Sequence, residues 1–102
     1  MILAQVQGTV VSTRKDAGLL GLKLLLVREV DGEFQPTGNQ LVAVDAVGAG
    51  TGELVLVASG SSARLTEVSK DKPVDAVISG IVDSVEVNGG DVYRKGAATA
   101  AR

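Results

Sequence analysis

Apolar and polar positions alternate imperfectly over the first dozen residues, with Ile2, Ala4, Val6, Gly8 and Val10 in one phase and Gln5, Gln7 and Thr9 in the other. A period of two belongs to a strand with one buried face, so residues 2–13 predict a first strand. Gly8 has no side chain to pack, which points to a bulge, a bend or a close backbone approach in mid-strand. The stretch Lys15-Asp16-Ala17-Gly18-Leu19-Leu20-Gly21 carries two glycines and two charges and reads as a loop in spite of its leucines. Leu22 to Val30 is almost continuously apolar. Its leucines permit a helix, but its length and flanking turn signals favour a second strand, buried on both faces.

Asp31-Gly32-Glu33 and Pro36-Thr37-Gly38-Asn39 are both turn signals, which sets Phe34 between two chain reversals and over one barrel end. Leu41 to Val44 and Leu54 to Ala58 predict the third and fourth strands. Ser59-Gly60-Ser61-Ser62-Ala63-Arg64-Leu65 suits one short helical turn with Ser61 as its cap. Beyond Pro73, the β-branched run Val74 to Val87 predicts one long strand, bent at Gly80. Asn88-Gly89 readily takes the positive φ angles of a tight hairpin, which would fold Val92 to Lys95 back on Val85 to Val87. Gly96 to Arg102 has no pattern and reads as a mobile tail, leaving residues 1–95 as the folded domain. About five main strands, frequent turns and no amphipathic helix of ordinary length predict an all-β fold, a small barrel or sandwich, and closure would remove exposed edges.

Composition adds one constraint on stability and several on chemistry. A chain of 102 residues fits one domain, and hydrophobic residues at 45% give it a core. Phe34 and Tyr93 are its only rings, so that core is built from Val, Leu, Ile and Ala, which bury less area each. Association would remove further apolar surface from water, which makes an oligomer attractive. There is no Cys and no His, so thiol nucleophiles, disulfides and the commonest soft or borderline metal ligands are missing together. No Asp, Glu, Lys or Tyr falls in a recognisable catalytic motif, and the expectation is of no catalytic residue, no metal and no cofactor. The net charge of −2, with both signs interspersed, gives no field to gather a polyanion, so nucleic acid is a poor partner. The start lacks the pattern of a signal peptide and no apolar run would span a bilayer, so the expected location is the cytoplasm.

Three features remain. The loop Gly48-Ala49-Gly50-Thr51-Gly52 superficially resembles a phosphate cradle, but those motifs need a helix after the glycines and a strand follows here. Such glycines suit a tight connection. They equally suit a place where another backbone comes close, as at a subunit contact or narrow pore. Asp45, just before the glycines, is placed to hold the loop through backbone amides. The pairs Arg14-Lys15 and Arg94-Lys95 suit contact points, although exposed pairs of this kind are most often simply solvated.

Five blocks in order carry a more specific signal: residues 8–15 (GTVVSTRK), 22–27 (LKLLLV), 43–53 (AVDAVGAGTGE), 55–64 (VLVASGSSAR), and Pro73-Val74-Asp75 with Gly80-Ile81-Val82-Asp83. Together they resemble the EutN/CcmL family, the vertex proteins of bacterial microcompartments. The resemblance covers residues 1 to about 95 and implies a five-stranded closed barrel of the oligonucleotide/oligosaccharide-binding type. It implies assembly as a cyclic homopentamer that caps the vertices of a polyhedral shell, in contact with hexameric facet proteins. On that expectation Gly48, Ala49, Gly50, Thr51, Gly52, Ser61, Ser62 and Arg64 are candidates for the subunit interface or axial pore. Arg14 and Lys15 are candidates for contact with neighbouring shell proteins. The alternative is a small barrel that binds a metabolite or single-stranded nucleic acid, which would call for stacking rings and a basic groove.

Overall fold

The computed structural model describes residues 1–96. Seven strands are present: β1 (Ile2–Val10), β2 (Leu24–Val30), β3 (Pro36–Asp45), β4 (Leu54–Ser59), β5 (Ala76–Ile81), β6 (Ser84–Val87) and β7 (Gly90–Arg94). The first five close a barrel in the order β1-β2-β3-β5-β4, with β4 returning to β1. All pairings in the barrel are antiparallel except β3 with β5, which meet only at Val44 with Val77 and Asp45 with Ile78. The register shifts once in β1–β2, at Val6/Gly8, and again at Arg28/Val30 and Leu56/Val57. Bulges of this kind sharpen the local twist, which five short strands need in order to close.

The period of two divides the apolar residues between two clusters. Ala43, Val57 and Ile78 point into the barrel with Ala4, Val6, Leu25, Val27 and Val55. Their chain neighbours Val44, Ala58 and Val77 face outward and join Ala63 in a second cluster, with Leu22, Leu24, Ala46 and Val74 packed around it. That second cluster lies under the single-turn 3-10 helix Gly60–Arg64, whose buried residue is Ala63. Ser69, itself buried, donates its hydroxyl to the Ala63 carbonyl and its amide donates to Thr66 Oγ1 at 3.0 Å, which fixes the exit from the helix.

Several sequence expectations change in the structure. Leu22 to Val30 is not buried on both faces: β2 alternates buried Leu25 and Val27 with half-buried Leu24 and Leu26. Residues 36–39 are not a turn but the start of β3. The helical turn begins at Gly60 with Ser59 in the capping position, so Ser61 lies inside the turn and caps nothing. A second 3-10 turn, Ala17–Leu19, occupies the predicted loop, held by Asp16, whose carboxylate accepts from the Gly18 amide at 2.8 Å. A Cβ on Gly18 would lie 2.8 Å from the Pro73 ring, so this loop and the approach to β5 touch where only glycine fits. The long strand carries a register shift beside Gly80, as the bend expected there would, but it also divides at Val82-Asp83, and β6 leaves the barrel to pair with β7 alone. The Gly8 bulge and the Asn88-Gly89 turn are as expected, with Asn88 at φ 53° and Gly89 at 83°. The predicted tail lies, beyond Gly96, outside the described residues.

Candidate assembly surface

The segment between β3 and β4 is a lid over one mouth of the barrel. It starts at β5, where the Ala46 amide donates to the Ile78 carbonyl, and ends at β1, where the Gly52 amide donates to the Val6 carbonyl at 2.8 Å. The Val6 amide donates in return to the Glu53 carbonyl at 3.0 Å. Between these anchors Ala49 is buried against the barrel interior. Gly48 at φ 79° and Gly52 at φ 88° take the left-handed backbone that the crossing requires, at a place where side chains would be strained.

Asp45 holds this lid in the manner the sequence suggests. Its Oδ1 accepts from the amides of Val47 and Gly48, and its Oδ2 from that of Ala49, each at 3.0 Å. The carboxylate is 2% exposed, and Lys23 Nζ lies 3.6 Å from Oδ2 while donating to the Ala49 carbonyl at 3.3 Å. A buried charge with three amide donors and a cation beside it is well compensated. The same bonds close the phosphate reading, because the amides that would cradle an anion already hold one.

Three residues that sequence reasoning did not single out, together with Lys95 of the predicted Arg94-Lys95 pair, complete the corner. Arg28 donates through Nε and Nη2 to Gln5 Oε1 at 3.1 and 2.8 Å, and Gln5 Nε2 reaches the Gly52 carbonyl at 3.4 Å. Glu53 accepts from the Gly50 amide through Oε1, while its Oε2 is paired with Lys95 Nζ at 2.7 Å. The hydrogen bond from Lys95, followed by that from Gly50, holds the Glu53 carboxyl below its ordinary value, and Glu53 in turn raises Lys95. Gln5 and Arg28 occupy outward phases of their strands, which is the only signal the sequence carried for them. Glu53 closes the glycine run itself.

The remaining candidates stand apart from the lid. Ser61, Ser62 and Arg64 are exposed on the 3-10 turn, whose Ala63 belongs to the second cluster, as does Ala46 at the head of the lid. Arg14 and Lys15 are exposed on the connection from β1 to β2, where Lys15 folds back onto the Ser12 carbonyl. Arg94 and Lys95 are not simply solvated, since Arg94 pairs with Asp91 and Lys95 with Glu53. Among the described residues no group of His, Cys, Asp or Glu could hold a metal ion, and no helix is long and apolar enough to cross a membrane.

The C-terminal hairpin is fastened to the barrel at few points. Lys95 Nζ meets Glu53, and the rings of Phe34 and Tyr93 lie 5.7 Å apart at 40°, whereas the bond from the Lys95 amide to the Asp83 carbonyl at 2.7 Å only extends the β6–β7 ladder. Phe34 thus meets the hairpin, where the sequence reading sets it over a barrel end. Its φ of 63° is held by the Asp31 turn, whose carboxylate accepts from the amides of Glu33 and Gln35.

Fold and lid together define a class: a small closed barrel of the oligonucleotide/oligosaccharide-binding type, with a capped mouth and an added hairpin. The chain belongs to the EutN/CcmL family, whose model, described as ethanolamine utilisation protein EutN/carboxysome, matches residues 1–83. It is 52% identical over 95 residues to the carboxysome shell vertex protein CcmL of Synechocystis, covering 93% of this chain and 95% of that protein. It is 47% identical, over 93% of this chain and 96% of the relative, to the microcompartment shell vertex protein EutN of Salmonella typhimurium. Among solved structures, a carboxysome subunit CcmL superposes with a TM-score of 0.89 at 52% identity, covering 93% of this chain and 99% of that one. The pentameric microcompartment shell protein GrpN of Rhodospirillum rubrum gives 0.76 at 48% identity, over 85% and 98%.

Proposed function

We propose that this chain is a structural subunit of a bacterial microcompartment shell, forming a homopentamer that closes a vertex, with no reaction catalysed. The observation that carries the reading is identity of about half the residues, over nearly the whole chain, with proteins named as shell vertex proteins, one of them described as pentameric. On this reading the protein sits in the shell of a cytoplasmic compartment and meets hexameric facet proteins. A five-fold ring is a heterologous interface, so each subunit presents two different complementary surfaces. Domain 1–95 acts as the unit of assembly. The rigid lid from Gly48 to Gly52, the turn bearing Ser61, Ser62 and Arg64, and the pair Arg14 and Lys15 are the surfaces offered to neighbours.

Binding of single-stranded nucleic acid is disfavoured by a specific contact. The only two aromatic rings of the chain lie against each other, 5.7 Å apart and tilted by 40°, so there is no row of separate rings on which successive bases could stack. Native mass spectrometry of the purified protein tests the reading, with a mass of five chains expected. A monomer at micromolar concentration, stable to dilution, would overturn it.

A further inference from the structure

Outside the barrel, where β1, β2 and β3 lie side by side, Gln7, Arg28, Pro36, Gly38, Asn39 and Gln40 enclose a shallow cavity of about 180 Å³. That is too small for a drug-sized ligand and suits one of a few heavy atoms. Arg28 stands at its centre in the sheet register, opposite Gln5 on β1 and Gln40 on β3. Among the described residues it is the only arginine that is half-buried, and no carboxylate pairs with it.

The guanidinium is half used. Nε and Nη2 both donate to Gln5 Oε1, at 3.1 and 2.8 Å, which spends the side-on edge of the fork. Nη1 and the second proton of Nη2 make up the end-on edge, and among the described residues no protein acceptor meets it. Arg28 lines the cavity and Gln5 does not, so the edge left open is the one that borders it. A planar carboxylate fits such an edge with two parallel charge-assisted bonds. The amides around it add donors. Gln40 Nε2 donates to Gln7 Oε1 at 2.6 Å, which leaves its second proton and both of those on Gln7 Nε2. Asn39 Nδ2 gives one proton to Glu29 Oε1 at 2.8 Å and keeps the other. Glu29 is thus engaged by Asn39 and by the Thr37 hydroxyl, not by Arg28. Side-chain donors therefore outnumber acceptors in the wall, and its one charge is positive.

We propose that this cavity binds a small planar carboxylate, anchored on the open edge of the Arg28 guanidinium and steadied by the side-chain amides of Gln7 and Gln40. Gln5 is a positioning residue: it holds the guanidinium by the opposite edge, and through its bond to the Gly52 carbonyl it links the cavity to the lid. The site lies within one chain, so it goes beyond the structural role and does not depend on assembly.

Acetate tests it, added to the isotope-labelled full chain in the assembly state it adopts, with chloride at equal ionic strength as the control. In NMR spectra the Arg28 Nε–H signal and the side-chain amide signals of Gln7 and Gln40 are expected to shift and saturate with acetate and not with chloride. Arg28→Lys keeps the charge but loses the fork, and is expected to weaken binding about tenfold. Gln7→Glu leaves the bonds from Arg28 to Gln5 in place and sets a carboxylate in the cavity, which is expected to abolish the saturable shift. Arg64→Lys, at an exposed arginine outside the cavity, is expected to leave it unchanged. Far-UV circular dichroism confirms that each variant folds. Shifts that rise without saturating, that chloride reproduces, or that survive Arg28→Lys undiminished overturn the proposal. So does an Arg28 signal that acetate does not move, the sign of a carboxylate from a second copy already seated there. None of these outcomes alters the mass of five chains expected above, so this proposal and the pentamer reading fail separately.

Discussion

The lid between β3 and β4 and the hairpin after β5 invert the usual expectation for glycine-rich loops and regular strands. The lid has no regular structure and three glycines in five residues, yet Asp45, Gln5, Glu53 and Lys23 all bond to its backbone. The hairpin has two paired strands and a strong turn, yet among the described residues one ion pair and one ring contact fasten it to the rest of the chain. A two-stranded ribbon is marginal alone in water. Glycine here supplies the backbone angles that let a carboxylate collect amides, and rigidity follows from those bonds. Strand pairing in the hairpin satisfies only its own backbone. In a shell subunit this division is useful, because a fixed mouth sets the geometry of the barrel while a loosely held arm remains free to adapt to a neighbour.

Removing the carboxylate that organises the lid should have the largest effect. Asp45→Ala strips the acceptor from three amides, one of them buried, and at about 1 kcal/mol for each unmet donor the loss is about 3 kcal/mol. Urea denaturation at fixed protein concentration measures it, and hydrogen exchange should accelerate at residues 47–49 while β2 keeps its protection. An unchanged midpoint would mean that the lid is held by its backbone anchors alone. Next comes Gly52→Ala, expected to cost about 1 kcal/mol, because φ is 88° while no atom lies within 4 Å of the new methyl. Gly8→Ala, equally open but without positive φ, should cost much less. A similar loss at both sites would show that the lid backbone is not strained by a side chain.

On the hairpin side, Phe34→Leu and Tyr93→Leu in a double-mutant cycle should show a coupling of about 0.5–1 kcal/mol for the ring pair. The exchange rates of β6 and β7 should rise in each single variant, with β1 unaffected. Zero coupling would leave the hairpin fastened by Lys95 alone.

What could be read from the sequence follows the same division. Alternation found β1, and apolar or β-branched runs between turn signals found the other barrel strands, which carry apolar residues on both faces because a second cluster covers the outside, as with Ala43 and Ile78 inside and Val44 and Val77 outside. Asp45 was legible because an aspartate before a glycine run has a local use for its acceptors. The strand β3 was cut short at its start because Pro36, Thr37 and Gly38 have turn chemistry, and only pairing with β2 overrides it. The break at Val82-Asp83 was hidden inside an unbroken β-branched run, since local propensity does not say which sheet a strand joins. Gln5, Lys23 and Lys95 reach the lid from distant parts of the chain, Arg28 bonds to Gln5 behind it, and no local pattern announces such contacts.

The smallest effect is the most discriminating, because among the described residues the Glu53–Lys95 pair is the one place where an ion pair joins hairpin to lid. Glu53 titrates below its ordinary 4.5, chiefly through its bond from Lys95, so the stability it contributes is present above pH 4.5 and is lost as pH falls through its lowered value. Lys95 is raised above 10.5, so its share is present below that pH and is lost as pH climbs through the raised value. Both partners are partly exposed, with side chains 22% and 43% accessible, and the pair should weaken further with added salt. Glu53→Gln is therefore expected to differ slightly from wild type at neutral pH and low salt, and to lose that difference as pH falls through the lowered value or in molar salt. Hydrogen exchange at the hairpin is the measurement of choice, since a global melt would barely register the change. A difference that persists undiminished in molar salt would assign the role of Glu53 to its bond with the Gly50 amide, and the hairpin would then depend on Phe34 and Tyr93.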